Sequence, residues 1–431
     1  MLPRFQFALL FALVLSLASI RFVDAQSNES RAKWHRGNLH THSLWSDGND
    51  FPDMIVKWYA DNGYQFLALT DHNVMSIGPR WMKWELIKKR SNEKALSRYV
   101  QAFGKDWVET RGSEAEGTLE VRLKNYSDCR QRFDKSGKFL LMTGEEISDS
   151  VNGFPLHLNA TNLKTLLRPT GGSSIREAMT RNLRAAQEQA VKEDRDVLVH
   201  LNHPNFGWAI TAEDLAAVTL EKFVEVYNGH PSVNHLGNKD RASVERIWDI
   251  ANTIRIAELD ATPLFGLATD DSHNYHGKPG SHTGRGWIMV RSTELSSKEI
   301  LKAIQRGDFY ASSGVEFEKV DYDNKAKRIA LEIKPEKGVE YETQFIGTLK
   351  GYDKTSKPSV AADGKVIRTT RIYSDEVGQV LATVKGLTPT YTLTGKEHYV
   401  RAVVTSSKAH PDPSFKNQKE QAWTQPVGWR K

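Results

Sequence analysis

A chain of 431 residues exceeds one average domain, and two are expected. With 39% hydrophobic and 26% charged residues it has the make-up of an ordinary globular protein. The excess of 59 basic over 53 acidic residues is small and forms no concentrated basic stripe, which argues against a nucleic-acid partner and leans weakly toward an anionic small molecule.

Residues 1–25 read as a segment outside the fold. Arg4 supplies a positive start, residues 5–20 are almost unbroken apolar, and Val23 and Ala25 stand at the −3 and −1 positions of a cleavage site. That is the pattern of a Sec-type secretory signal peptide, with the mature chain starting near Gln26. The apolar run is near the lower length limit for a membrane span, so a retained anchor is the lesser reading. A secreted or periplasmic protein, free of the membrane after cleavage, is the expectation. Cys129 is the only cysteine, which rules out an intramolecular disulfide; it lies in a polar helical stretch and reads as inert.

After a polar linker, residues 26–34, strand and helix alternate. A short extended stretch leads into Leu39, His40, Thr41 and His42. Asp50 and Pro52 open a helix that closes at Gly63, and residues 66–69 form a buried strand running into Thr70, Asp71 and His72. From about residue 75 to 137 a segment rich in Trp, Lys, Arg and Glu breaks the rhythm. It is expected to be an insertion, either a lid over the site carrying Trp81, Trp84 and Trp107 or a piece packed on itself. Strands resume at 139–142 and 156–158, followed by a long amphipathic helix over 174–193. Further strands are expected at 197–199, 223–227, 264–267 and 287–290, with a capping box at Thr211 and Asp214 and a helix from Ser243.

Short apolar strands separated by helices imply a parallel sheet buried on both faces. Seven or eight such units favour a closed α/β barrel, residues 35–317, over an open doubly wound sheet. Beyond Gly314 the pattern turns to period-two alternation at 328–333, 380–384 and 399–404, separated by turn residues. A separate C-terminal β-rich domain of sandwich type is expected over 318–431.

Twelve of the 14 histidines lie between His35 and His282. His40 and His42 follow the first strand, with Asp47 in the next loop, and His72 ends the second. Glu145 and Glu146 fall at the third, His157 on the fourth, and His200 and His203 at the fifth. Asn228 and His230 close the sixth; Asp270, Asp271 and His273 close the seventh. Each element alone is weak, but ionisable groups recurring at one end of consecutive buried strands need partners. Imidazole and carboxylate without thiolate suit Zn, Mn or Fe and do not suit an iron–sulfur cluster or a calcium cage. More than eight such groups exceed what one ion uses, so two or three divalent ions bridged by a carboxylate are expected.

These motifs resemble the polymerase and histidinol phosphatase (PHP) metallohydrolases: His40-Thr41-His42 with Ser46-Asp47-Gly48, Thr70-Asp71-His72, Gly144-Glu145-Glu146, Asn202-His203-Pro204 and Asp271-Ser272-His273. Their order is kept over roughly residues 36 to 315. Within that family the chain is most similar to secreted members related to carbaryl hydrolase, through Asn228-Gly229-His230-Pro231, residues 307–312 and a C-terminal β domain ending in residues 422–426. The resemblance implies a distorted seven-stranded barrel and up to three metals. By its pattern His40, His42, Glu146 and Asp271 would hold the first ion. Glu146, His157 and His203 would hold the second, and Asp47, His72 and His273 the third. Glu145 competes with Glu146 as the bridge, and His200 competes with His203, though three residues earlier it reads as support from inside the strand.

Such a cluster would acidify a bridging water and present it to a phosphorus or carbonyl centre. His230, as leaving-group acid, and Arg285, as a bidentate phosphate contact, are the candidate substrate-facing residues. The expected activity is hydrolysis of a phosphate monoester or diester. The alternatives are a carbamate or carboxylic ester hydrolase and, less favoured, a non-catalytic binding protein.

Overall fold

The structure, a computed structural model, describes residues 32–361 and 363–429, so the expected leader lies outside the described residues. It is a mixed α/β protein. The first strand, Lys33–Asn38, runs parallel to Phe66–Ala68, and that strand runs parallel to Leu140–Met142. A five-stranded sheet has the order Phe265–Thr269, Phe223–Asn228, Leu198–Leu201, Phe154–Thr161, Gly144–Val151. The two sheets meet through single bridges, Thr41 to Ser272 and His72 to Glu146. Both bridges lie at the strand ends that carry the histidines and acids.

The expectation of all-parallel pairing needs correcting. Phe154–Thr161 is antiparallel to both of its neighbours. Only Asn152 and Gly153, both in the left-handed region, separate it from Gly144–Val151. Such an Asn-Gly pair makes a two-residue hairpin, whereas a parallel partner needs a crossover of about a dozen residues. Trp287–Ser292 is likewise antiparallel to Lys33–Asn38.

Helices flank these strands with their apolar stripes inward. In Ile175–Lys192 the buried Ile175, Ala178, Met179, Leu183 and Ala186 recur at three- and four-residue spacing, and Ser174 caps the start by accepting from the Glu177 N–H. From Trp287–Ser292 the sheet continues through Phe309–Ser312 and Lys419–Trp423 to Glu397–Ala409, Tyr341–Leu349 and Gln379–Lys385, nine strands in all. A three-stranded sheet shares its core: Phe317, Ile329 and Leu331 pack with Phe345, Val400 and Val404. Arg401 ties this β-rich part to the helix Val244–Ala257, donating to both carboxylate oxygens of Asp249 at 2.7 and 2.6 Å from full burial.

The insertion has its own core, with Trp84, Ile87, Tyr99, Val121 and Leu123 packed on Leu44, Trp45 and Phe51. Arg80 donates to the Trp45 carbonyl at 2.7 Å, Arg90 to the Ser46 carbonyl, and the Trp45 indole to Lys124 O at 2.9 Å. The segment therefore braces the loop that carries Asp47. Its tryptophans are engaged within it or against the preceding helix: Trp84 is buried, Trp107 donates to Asp53, and Trp81 lies 4.4 Å under the Arg111 guanidinium. Cys129 is a free, buried thiol whose pKa burial raises well above the ordinary value, which matches its inert reading. Among the described residues no helix is long and apolar enough to cross a membrane.

Candidate metal centre

Glu145 and Glu146 are adjacent on one strand, so they face opposite sides of it. Glu146 turns into the histidines. Its Oε1 lies 3.0 Å from His157 Nδ1 and 3.5 Å from Nε2 of both His40 and His203. Its Oε2 lies 2.7 Å from His72 Nδ1 and 3.4 Å from His42 Nε2. Asp271 Oδ1 sits 3.1 Å from His40 Nε2 and 3.2 Å from His42 Nε2. Toward solvent, the Asp47 oxygens are 3.4 Å from His273 Nε2 and 3.6 Å from His72 Nε2. All nine metal-ligand candidates read from the sequence thus converge.

These spacings test whether ions fit. Donors 2.0–2.1 Å from a tetrahedral ion lie about 3.3–3.4 Å from one another. The 3.1–3.5 Å separations around Asp271, Glu146, His40, His42 and His203 match that spacing. Nε2 of His40, Nε2 of His42 and Nδ1 of His157 are buried without a hydrogen-bond partner. Buried polar atoms are rarely left so, and a shared cation satisfies them. The donors fall into overlapping groups: His40, His42 and Asp271; His40, Glu146 and His203; His72, Glu146 and His157; and His42, Asp47, His72 and His273.

The backbone serves the same arrangement. Asp271 stands at φ 49°, an unusual conformation for a residue other than glycine, and turns its carboxylate into the cluster. Asp270 beside it faces away and accepts from the Tyr59 hydroxyl at 2.6 Å and from the backbone N–H groups of Gly284, Arg285 and Gly286.

A further layer was missed by sequence reasoning. Glu225, fully buried on Phe223–Asn228, accepts from His40 Nδ1 at 2.7 Å, Thr269 Oγ1 at 2.7 Å, Asn228 Nδ2 at 2.8 Å and the His203 N–H at 2.9 Å. By accepting the Nδ1–H it turns His40 Nε2 toward Asp271 and Glu146, where its lone pair would serve a bound ion. Its signal was present in the sequence as a lone acid amid Phe-Val-Glu-Val-Tyr. His200 lies behind it, with Nε2 3.4 Å from Glu225 Oε1, while His203 reaches the cluster. Asn202 orients the central carboxylate, donating to Glu146 Oε1 at 2.8 Å.

Electrostatically the rings divide. Burial works against the His40 cation, but Asp271, Glu225 and Glu146 hold its pKa well above the usual value. Burial also opposes charge on His72, yet Glu146 and Asp47 push it up to about 11. Burial and the neighbouring His273 bring His42 down to about 3. Protons on His40 and His72 occupy the places a cation would take, so acid competes with metal.

The two substrate-facing candidates are placed differently. His230 is partly buried, with its ring 5.5 Å from that of His273. Its Nδ1 accepts the Ser232 N–H at 3.1 Å, and burial lowers its pKa, so the neutral ring carries its proton on Nε2. An Nε2–H so placed can donate to a leaving group, the role expected of His230. Arg285 is placed otherwise than expected, because it is buried and four of its five N–H groups donate to protein oxygens. Nε and Nη2 donate to the Asp412 carboxylate at 3.1 and 2.9 Å and Nη1 to the carbonyls of Gly229 and Gly280 at 2.8 Å, while His282 Nδ1 lies 2.8 Å from Asp412 Oδ2 beside them. It clamps the His230 turn to the C-terminal segment, and its burial turns it away from the substrate contact expected of it.

Two substitutions separate these roles. Glu225→Gln would present an amide to His40 Nδ1, and metal affinity is expected to fall about 10- to 100-fold with the fold retained. Chelator competition measures this, and unchanged affinity contradicts the role. Glu145 faces away from the cluster, accepts the Leu167 N–H at 2.6 Å, and burial pushes its carboxyl up to about 8 from 4.5. The folded state then keeps a proton that the unfolded chain has released, so this group's stabilisation is full below about pH 4.5 and is lost as pH rises toward 8. Glu145→Gln should therefore gain Tm over the parent increasingly between those pH values while leaving metal content unchanged. A pH-independent Tm difference, or lost metal, contradicts this.

No family model and no curated protein matches the chain. Among solved structures, a two-domain protein from Bacteroides vulgatus containing a predicted PHP-like metal-dependent phosphoesterase is 15% identical, with 92% of this chain and 96% of that one covered and a TM-score of 0.38. An amidohydrolase from Chromobacterium violaceum, with bound sulfate and no metal, is 13% identical, with 57% and 90% covered and a TM-score of 0.28. At this level of likeness no chemistry is transferred to the chain.

Proposed function

We propose that the chain is a metal-dependent hydrolase of phosphate monoesters or diesters, with its two sheets forming the halves of a distorted barrel. The observation that carries this reading is the convergence of nine imidazole and carboxylate donors in overlapping groups around Glu146. His40, His42, Asp271 and Glu146 would hold one divalent ion of the Zn, Mn or Fe type. Glu146, His157 and His203 would hold a second, and Asp47, His72 and His273 a third. Bound ions supply Lewis acidity, stabilising developing anionic charge and acidifying water toward neutral pH.

The chain's own residues decide approach and charge. The Asp47 side chain is 55% exposed and that of His72 27%, against 1% for Glu146, so substrate enters from the Asp47 side. Four carboxylates, Asp47, Glu146, Asp271 and the buried Glu225, are balanced by two divalent ions and left with two positive charges by three, an excess that an anionic ester neutralises. His230 stands beside His273 with its Nε2–H free to donate to an ester oxygen. The engagement of Arg285 favours a second reading, hydrolysis of a carbamate or carboxylic ester, because the phosphate contact expected of it is withdrawn.

The deciding comparison is kcat/KM for p-nitrophenyl phosphate, bis-p-nitrophenyl phosphate and 1-naphthyl acetate or methylcarbamate on one metal-loaded preparation. Phosphate ester hydrolysis that is lost on chelation and restored by metal is expected. Glu146→Gln should cost about 100-fold or more, beyond what outer partners of a metal site carry. Turnover of the naphthyl compounds with neither phosphate hydrolysed overturns the first reading and promotes the second.

A further inference from the structure

We propose that Phe206 determines specificity in this site by binding an aryl group carried by the ester, an inference that rests on the hydrolase reading above. Phe206 is partly exposed, and its ring lies 5.0 Å from the ring of His203, 5.9 Å from that of His157 and 6.4 Å from that of His230. It therefore borders both the imidazoles assigned to the second ion and the donor assigned to the ester oxygen. A hydrocarbon face left wet beside so polar a cluster is unfavourable, and an apolar substituent of a bound ester would cover it.

The ring is held in place before any ligand arrives. Gly207 and Trp208 follow it at φ 59° and 55°, two consecutive left-handed residues, which is a strained choice for a tryptophan. A Cβ on Gly207 would meet Pro155 at 3.0 Å. Asn205 donates to the carbonyls of Asn234 at 3.2 Å and Ala242 at 2.9 Å, and Asn234 donates back to the Asn205 carbonyl at 3.2 Å. Arg241 covers the Trp208 ring at 4.8 Å. The turn is thus buckled to its neighbouring loop on both sides of Phe206. A ring needed only to back the imidazoles would be served equally well from full burial. Fixed and partly exposed beside the second-ion imidazoles, it is suited to a flat apolar group that arrives with the substrate.

The test uses the metal-loaded full chain and two non-hydrolysable anions, phenylphosphonate and methylphosphonate, with dissociation constants from calorimetry. The parent should prefer the phenyl compound about 10-fold or more. Phe206→Ala should bring that preference close to one, leaving methylphosphonate affinity and metal content within about twofold, and Phe206→Leu should keep an intermediate preference. Equal weakening of both anions, loss of metal, or no preference in the parent overturns the assignment. If neither phosphonate binds, the phosphate reading has failed. Phe206 is then judged on kcat/KM for 1-naphthyl acetate against methyl acetate, where loss of the aryl preference in Phe206→Ala upholds it and an unchanged ratio overturns it.

Discussion

A carboxylate removed from water and surrounded by five imidazoles is the constraint on which this molecule is organised. Glu146 is 1% exposed, yet it approaches His40, His42, His72, His157 and His203 within 3.5 Å. Burial opposes its charge, and His72, His157 and His40 hold its pKa well below the carboxylate range all the same. So many ionisable groups share one dry site only if each partner is held in register. The seam of the fold supplies that register: the His72–Glu146 bridge joins the two sheets at the residues that form the cluster.

Around this centre polarity is arranged in layers. Glu225 fixes His40, Asn202 holds Glu146, and Asn228 donates to both Glu225 and Asp271. Farther out, Asp270 gathers three backbone N–H groups and the Tyr59 hydroxyl, and Arg285 joins the His230 turn to Asp412 in the C-terminal segment. The insertion braces the Asp47 loop from the other side through Arg80 and Arg90. Segments distant in the chain thus converge on keeping a few side chains still. Preorganisation of this kind is what electrostatic catalysis requires.

Most candidate donors were legible in the sequence because they sit where an apolar strand gives way to polar residues; Asp47, in a loop, and His157, inside Phe154–Thr161, were marked by the motif resemblance instead. Period-two alternation likewise exposed the strands at Arg328–Ile333 and Gln379–Lys385. Glu225 was passed over because it lies within a buried strand with no polar flank, marked only as a lone acid among apolar neighbours. Arg285 was misread because its Gly-Arg-Gly setting does not reveal that Asp412, 127 residues later, folds back onto it. Antiparallel pairing at Phe154–Thr161 was missed although Asn152-Gly153 announced it, since the strand-helix rhythm of the neighbouring segments was extended across a hairpin. Phe206 gave no signal at all; one aromatic in a loop acquires meaning only from the histidines the fold sets beside it.

The account's central claim, that the cluster around Glu146 is a multi-ion centre, is tested most directly by anomalous X-ray diffraction from crystals of the metal-loaded protein, with data collected on both sides of the metal's absorption edge. Two or three anomalous peaks are predicted, two of them flanking Glu146, one bordered by His40, His42 and Asp271 and the other by His157 and His203, with any third beside Asp47. A single peak away from Glu146, or none in protein shown to be saturated with metal, would contradict it.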